Sequence, residues 1–339
     1  MEKQLISRAA VMRVLHDYWQ QYKNYPVATA VSFILPAVGT ILVHFVPPLL
    51  VASIVNRLAA GSVHSVYDVL PTVLLLAVLW LIGEGLWRVG VHYAIKVEER
   101  GLNSLMRIAY KRLVLRDYDF YANNFVGSLV KKGGAYSRSF ETFTDTLIFN
   151  VTTNVFPIIF AVVILWNYAP IIPMTLLFWL ALTIFITIPI IRGRSKLVAA
   201  RHDAGSQLSG RLSDALTNML AIKSFAQEKN EGATFGTYVD SFTTKVKKAG
   251  DYQNLRFEGV ISPIYVLTNG IGLLMAVYFS LSLGLAVGTT VVVFSYYSQI
   301  TRIFWEINRI YRNIESSISE AAEFTQLTLK EPLIQDKSD

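Results

Sequence analysis

Residues 213–235 read Ser-Asp-Ala-Leu-Thr-Asn-Met-Leu-Ala-Ile-Lys-Ser-Phe-Ala-Gln-Glu-Lys-Asn-Glu-Gly-Ala-Thr-Phe. Leu212, Ala215, Leu216, Met219, Ile222 and Phe225 recur every three or four positions, the period of one helix face. Lys223, Glu228, Lys229 and Glu231 follow at once, so the opposite side is wet. The stretch lies in the middle of a polar island, far from either neighbouring apolar run. A short amphipathic helix at the tip of such an island is placed to touch another protein.

On either side of the island the chain changes character. Of its 339 residues, 53% are hydrophobic and only 16% charged, where a soluble protein carries about 25% charged residues. Residues 27–56, 146–191 and 259–301 contain no Asp, Glu, Lys or Arg. A membrane-crossing helix needs about 20 such residues, so these runs imply a bilayer. The net charge of +7 sits beside the apolar runs without aromatic–basic interleaving, which argues against nucleic acid. With no cysteine, disulfides, thiol catalysis and thiolate metal sites are excluded. About 25 residues precede the first apolar run, which is too long for a cleavable signal core.

Taken in order, residues 1–25 combine Lys3, Arg8, Arg13 and Lys23 with Tyr18, Trp19, Tyr22 and Tyr25. That mix suits a helix in the membrane interface, with Leu5, Val11, Leu15 and Trp19 as its apolar side. The first span, 27–55, is interrupted by Pro36, Pro47 and Pro48; a polar loop at 57–68 leads to a second span from about Val66 to Trp87. Residues 88–145 then carry ten Lys/Arg against six Asp/Glu, yet Leu102, Leu105, Ile108, Ala109, Leu113 and Val114 keep helical spacing. The helix is predicted to leave the membrane without stopping. Asn167-Tyr168-Ala169-Pro170 divides 146–191 into two spans. A second island, 192–258, carries eleven Lys/Arg and seven Asp/Glu. Gly284 and Gly288 are predicted to mark the turn within 259–301, and the last helix emerges through Phe304-Trp305 to fade at Glu331-Pro332. The result is an all-α protein with six spans. The short loops hold one Lys/Arg in total, which assigns the islands and both termini to the cytoplasm. Each island, folded as two helices and a turn, would project about 40 Å.

Two motifs stand at the tips of these islands. The first is Asp119-Phe120-Tyr121-Ala122-Asn123-Asn124-Phe125-Val126-Gly127, and the second is Ala221-Ile222-Lys223-Ser224-Phe225 with Glu228, Glu231 and Phe235. In a six-span plan they resemble the aromatic-x-x-Asn-x-x-Gly and Val-Lys-Ala/Ser-Phe…Glu…Glu…Phe patterns in the membrane domain of type IV ABC exporters, over nearly the whole chain. The resemblance implies an elbow helix at 1–25, a six-helix transmembrane domain at 26–329 and a linker at 330–339 toward a nucleotide-binding domain. It implies a first coupling helix of Tyr121, Ala122, Asn123, Asn124 and Phe125. A second would comprise Thr217, Asn218, Met219, Leu220, Ala221, Ile222 and Lys223. It also implies a second transmembrane half, identical or not, and ATP with Mg in the partner nucleotide-binding domain. Lys131-Lys132-Gly133-Gly134 departs from the family pattern, and the paired glycines are expected to weaken their helix by about 1 kcal/mol each. Asn218 stands where a Gly is common.

No P-loop, helical HExxH or Gly-x-Ser-x-Gly occurs, and His16, His44, His64, His92 and His202 share no ligand spacing, so no catalytic, cofactor or metal residues are assigned. Candidate path residues are Glu84, Arg88, Asn150, Asn154, Asn269, Tyr296 and Tyr297, because polar or amphipathic groups within spans face a cavity or bond neighbouring helices. Glu84 and Arg88 at i and i+4 also suit a simple pair near the interface. Phe294, Phe304 and Trp305 share the last helix with the two tyrosines. The other reading is a motor-free, proton-coupled peptide carrier of the SbmA/BacA kind, with Glu84 as the proton site.

Overall fold

A computed structural model describes residues 6–329, and every regular element among them is helical. The helices are α1 (Arg8–Asn24), α2 (Pro26–Thr40), α3 (Pro47–Ala59), α4 (Leu70–Val114), α5 (Tyr118–Ala122), α6 (Val126–Asp145) and α7 (Thr153–Trp166). They continue as α8 (Ile171–Thr217), α9 (Met219–Ser224), α10 (Glu228–Tyr252), α11 (Gly259–Ser282), α12 (Val287–Thr301) and α13 (Ile303–Leu327). Wider π-type turns join α2 to α3 at Ile41–Phe45, α6 to α7 at Thr146–Thr152 and α10 to α11 at Gln253–Glu258. Five stretches are long and apolar enough to cross a membrane: Pro26–Ala59, Leu70–Val114, Val126–Trp166, Ile171–Thr217 and Glu228–Ser282. The expected sixth is cut at Arg302 into α12 and α13. The Thr301 hydroxyl donates back to the Tyr297 carbonyl at 2.8 Å, a bond that bends helices. The expected fade of the last helix at Glu331-Pro332, and the 330–339 linker, lie outside the described residues.

The chain divides into two compact units, 1–173 with 272–339, and 174–271. In the first, α4 runs unbroken from its apolar half into its charged half, as its uninterrupted periodicity requires. Small residues bring α2 and α4 together: a Cβ on Gly39 would stand 2.7 Å from the Gly83 carbonyl oxygen. Such contacts are how helices associate where lipid offers no hydrophobic drive. The pair Gly133-Gly134 does not interrupt α6; Gly133 is buried where a Cβ would lie 3.7 Å from the Phe324 ring, so tertiary packing overrides the propensity. At the expected turn, only Gly284 has the positive φ (63°) a turn asks of glycine. Gly288 is inside α12, and a side chain there would strike the Ala52 carbonyl.

Only part of the aromatic set of α1 is open. Trp19 is 58% exposed, but Tyr18 and Tyr22 are 1% and 7% exposed. They pack with Leu105, Tyr136, Phe140 and Phe324 in the principal core of this unit. Asp17 anchors the helix: its carboxylate accepts two bonds from Arg112, at 2.7 and 2.9 Å, and one from the Tyr136 hydroxyl at 2.7 Å. Tyr18 donates to the Tyr136 carbonyl, Tyr22 meets the Thr144 hydroxyl, and Thr325 donates to the Ala10 carbonyl. In the second unit, α8 and α10 form a hairpin through α9. Arg211 bonds Glu231 at 2.6 Å, and Gly193 admits the Tyr252 hydroxyl.

Candidate functional site: two helical tips and a polar cavity

Each charged hairpin ends in a short helix. At the first tip the helix is α5, Tyr118–Ala122, three residues earlier than expected. Ala122 closes it because the amides of Asn123 and Asn124 fold back onto the carbonyls of Asp119 and Phe120, both at 2.9 Å. Asparagine competes with the helix ladder in this way, so Asn123, Asn124 and Phe125 lie past its end. The motif now has a mechanism. Tyr121 donates to the Leu113 carbonyl at 2.7 Å and ties the tip to α4. Asn124 caps the turn, and Gly127 leaves room for the Phe125 ring, which lies 2.7 Å from where a Cβ would be. Arg116 closes the other side with a 2.6 Å bond to the Thr328 carbonyl. Tyr118 and Phe125 are left 88% and 80% exposed.

At the second tip, α9 begins at Met219. Thr217 ends α8, and Asn218 is the break, its amide on the Asp214 carbonyl at 2.9 Å. The far end is a Schellman turn. Gln227 N–H donates to the Ile222 carbonyl, Ala226 N–H to that of Lys223, and Ala226 takes φ 51°, a conformation usually left to glycine. Lys223 bonds Glu228 at 3.0 Å. The backbone N–H of Glu228 and the Lys223 ammonium hold its carboxyl below the usual glutamate range. Leu216, Leu220 and Phe225 stand exposed. Both tips therefore show large apolar side chains at the ends of otherwise polar hairpins.

The cavity lies in the first unit, with a volume of about 390 Å³. Its form starts with Pro47-Pro48. Neither nitrogen can donate, so the carbonyls of Val43 and His44 lose their helical partners, and Leu49 N–H turns to Val46 instead of Phe45. Three side chains from other helices take these oxygens: Trp80 at 3.0 Å on Val43, Gln299 at 2.8 Å on His44, and Tyr296 at 2.7 Å on Phe45. The π-turn thus opens the wall and is stitched to α4 and α12. Glu84, Arg88 and Asn154 line the space. So do His44, Gln299, Arg302 and Glu306, which sequence reasoning missed although 302–309 flanks an apolar run. Glu84 and Arg88 make no ion pair with each other, so the simple i,i+4 pairing does not hold. Asn154 donates to Glu306 at 3.2 Å, Glu306 pairs with Arg309 at 3.3 Å, and Arg309 donates to Asn150 at 2.9 Å. These four residues lock α13 to α7 and to the π-turn at Thr146–Thr152 that leads into it.

The remaining path candidates lie elsewhere. Tyr296 and Tyr297 are fully buried and are not among the residues that line this cavity; Tyr296 donates to the Phe45 carbonyl and Tyr297 to the Ile172 carbonyl at 2.5 Å, so both anchor helix packing. Phe304 is likewise buried. Asn269 belongs to the second unit, its amide on the Tyr265 carbonyl at 2.9 Å.

Long helices with apolar and charged halves, a polar cavity among them and exposed tips at their charged ends define a multi-pass helical membrane protein. The family model of the ABC transporter transmembrane region matches residues 31–304, and the chain belongs to that family. It is similar to proteins provisionally named multidrug export ATP-binding/permease proteins in Staphylococcus aureus strains NCTC 8325 and COL, each 26% identical over 189 residues. The match covers 54% of this chain and 32% of each relative, so the chain spans about a third of their length. A bacterial Atm1-family ABC exporter solved with ATP bound has the same fold, with a TM-score of 0.69 at 18% identity over 93% of this chain and 55% of that one.

Proposed function

We propose that this chain is the membrane half of an ATP-driven exporter, joined by a second such half and by nucleotide-binding domains that bind ATP and Mg. The observation that carries the reading is the pair of exposed apolar tips, α5 with Phe125 and α9 with Leu220 and Phe225, on hairpins continuous with membrane-crossing helices. Isolated tips of this kind leave apolar surface in water unless another protein covers it. The tip elements serve as coupling helices: the residues 121–125 around the end of α5, and 217–223 around α9. ATP favours the conformation it binds more tightly, and the tips transmit that change to the wall of the cavity. Glu84, Arg88, Asn150 and Asn154 face the translocation path. Both termini and both charged islands lie in the cytoplasm, and the membrane is the plasma membrane.

The test is ATP hydrolysis and transport by the complete transporter in vesicles. Leu220→Asp and Phe125→Asp are expected to uncouple transport from hydrolysis while the protein keeps its thermal midpoint. Wild-type transport from both variants would refute the lever assignment. Transport that persists without ATP and collapses with the proton gradient would refute the motor itself.

A further inference from the structure

Beneath the elbow helix lies a second cavity, of about 840 Å³, which the transport reading does not use. Its walls are Leu15 and Trp19 of α1 and Phe33 and Ile34 of α2, and its floor is Phe143 and Leu147. The outer edge belongs to a membrane-crossing helix whose neighbouring side chains are open, Val27 at 72% and Ile34 at 47% exposure. Lys23, in the last turn of α1, lines its end toward Pro26, with its ammonium 5.9 Å from the centre of the Trp19 ring, and His16 lines it two turns earlier. The turn from Lys23 to Pro26 also borders a cationic hollow lined by Tyr25, Arg100, Arg107 and Lys111, with Glu99 as its one carboxylate. The Arg100 guanidinium rests 4.7 Å above the Tyr25 ring.

We propose that this groove is a binding site for an anionic phospholipid, its acyl chain between α1 and α2 and its phosphate at Lys23. An apolar trough that opens on the outer face of a membrane-crossing helix has acyl chains as its surroundings. Its cationic end matches a phosphate, and each Lys or Arg near a bilayer surface attracts anionic lipid by about 1 kcal/mol. The site also explains why α1 has two faces. One is locked into protein by Asp17, Tyr18 and Tyr22, and the other, with Met12 and Trp19, is left open.

The experiment reads Trp19, which lines the groove. The full chain is reconstituted in phosphatidylcholine vesicles containing either brominated phosphatidylglycerol or brominated phosphatidylcholine at equal mole fraction. The difference between wild type and Trp19→Phe isolates the quenching of this one ring. Quenching by the glycerol lipid is expected to exceed that by the choline lipid. Lys23→Glu is expected to cut the excess by about fivefold or more. Ala30→Phe, which fills the groove without touching a charge, is expected to lower quenching by both lipids. Equal quenching by both lipids, or an excess that survives Lys23→Glu, overturns the proposal. So does a Trp19 shielded from both lipids while the chain cross-links to a second copy through α1. Should Ala30→Phe fail to fold, the charge variant decides alone.

Discussion

Arg112→Ala is expected to release α1. The Asp17 and Arg112 side chains are 8% and 17% exposed, and their contact is bidentate. Removal of one partner of a buried pair costs about 3–5 kcal/mol, because a desolvated charge is left behind. Here Tyr136 still donates to Asp17, and Arg13 stands 3.6 Å away on the exposed side. The cost therefore falls at the low end, about 3 kcal/mol, or a factor on the order of 100 in the local opening equilibrium. Hydrogen exchange of the α1 amides measures that opening directly. The reasoning also sets an order among variants. Asp17→Ala with Arg112→Ala removes the stranded carboxylate, so the double variant should protect α1 better than Arg112→Ala alone. Arg112→Lys should rescue only partly, since an ammonium cannot make the two parallel bonds. Unchanged α1 exchange in Arg112→Ala, or a double variant worse than the single, would refute the account.

Four further outcomes are expected. Gly101→Ala drives a methyl into the Phe140 ring and should lower stability by about 1–3 kcal/mol, read as a drop in thermal midpoint. Tyr296→Phe strips the donor from a buried carbonyl and should cost about 1–3 kcal/mol, while Gln299→Leu, whose bond is exposed, should cost about 1 kcal/mol or less; thermal midpoints in the reverse order would be wrong for this wall. Ala226→Gly relieves a left-handed alanine and should stabilise the second tip by about 0.5–1 kcal/mol, seen as slower amide exchange across α9. The backbone amides of His64 and Ser65 hold the Asp68 carboxyl below the ordinary aspartate value of 3.8. Order in that loop is thus fully present above this value and lost as pH falls through the lower folded one. A spin label on Val63→Cys, in a chain without other cysteine, should become mobile only in that acid range.

The α4 helix and the α5 tip mark how far the sequence could be read. The unbroken period from Leu102 to Val114 announced a helix that passes from lipid into water, and the structure carries it to Val114 in one piece. The motif at 121–127 announced a tip, yet its helix stops at Ala122, because asparagine amides choose between neighbouring carbonyls only once the turn exists. Glu84 and Arg88 were legible as costly polar groups in an apolar run. Their partners in the cavity wall were not, since Gln299, Arg302 and Glu306 lie more than 200 positions away and look unremarkable where they stand.

Apolar run length, charge placement and local period depend on residues a few positions apart, and they suffice for the helical class, the bilayer and the charged hairpins. Which groups become buried depends on who arrives from elsewhere in the chain. Nothing near Asp17 in the sequence foretells that Arg112 and Tyr136 reach it. Tyr296 and Tyr297 read as path residues until their hydroxyls meet the carbonyls of Phe45 and Ile172. Pro47-Pro48 announced the loss of two amide donors; only packing could decide that an indole and a carboxamide from distant helices would replace them. A carbonyl left without a donor in an apolar medium is costly wherever it lies, but the identity of its new partner is a fact of three dimensions.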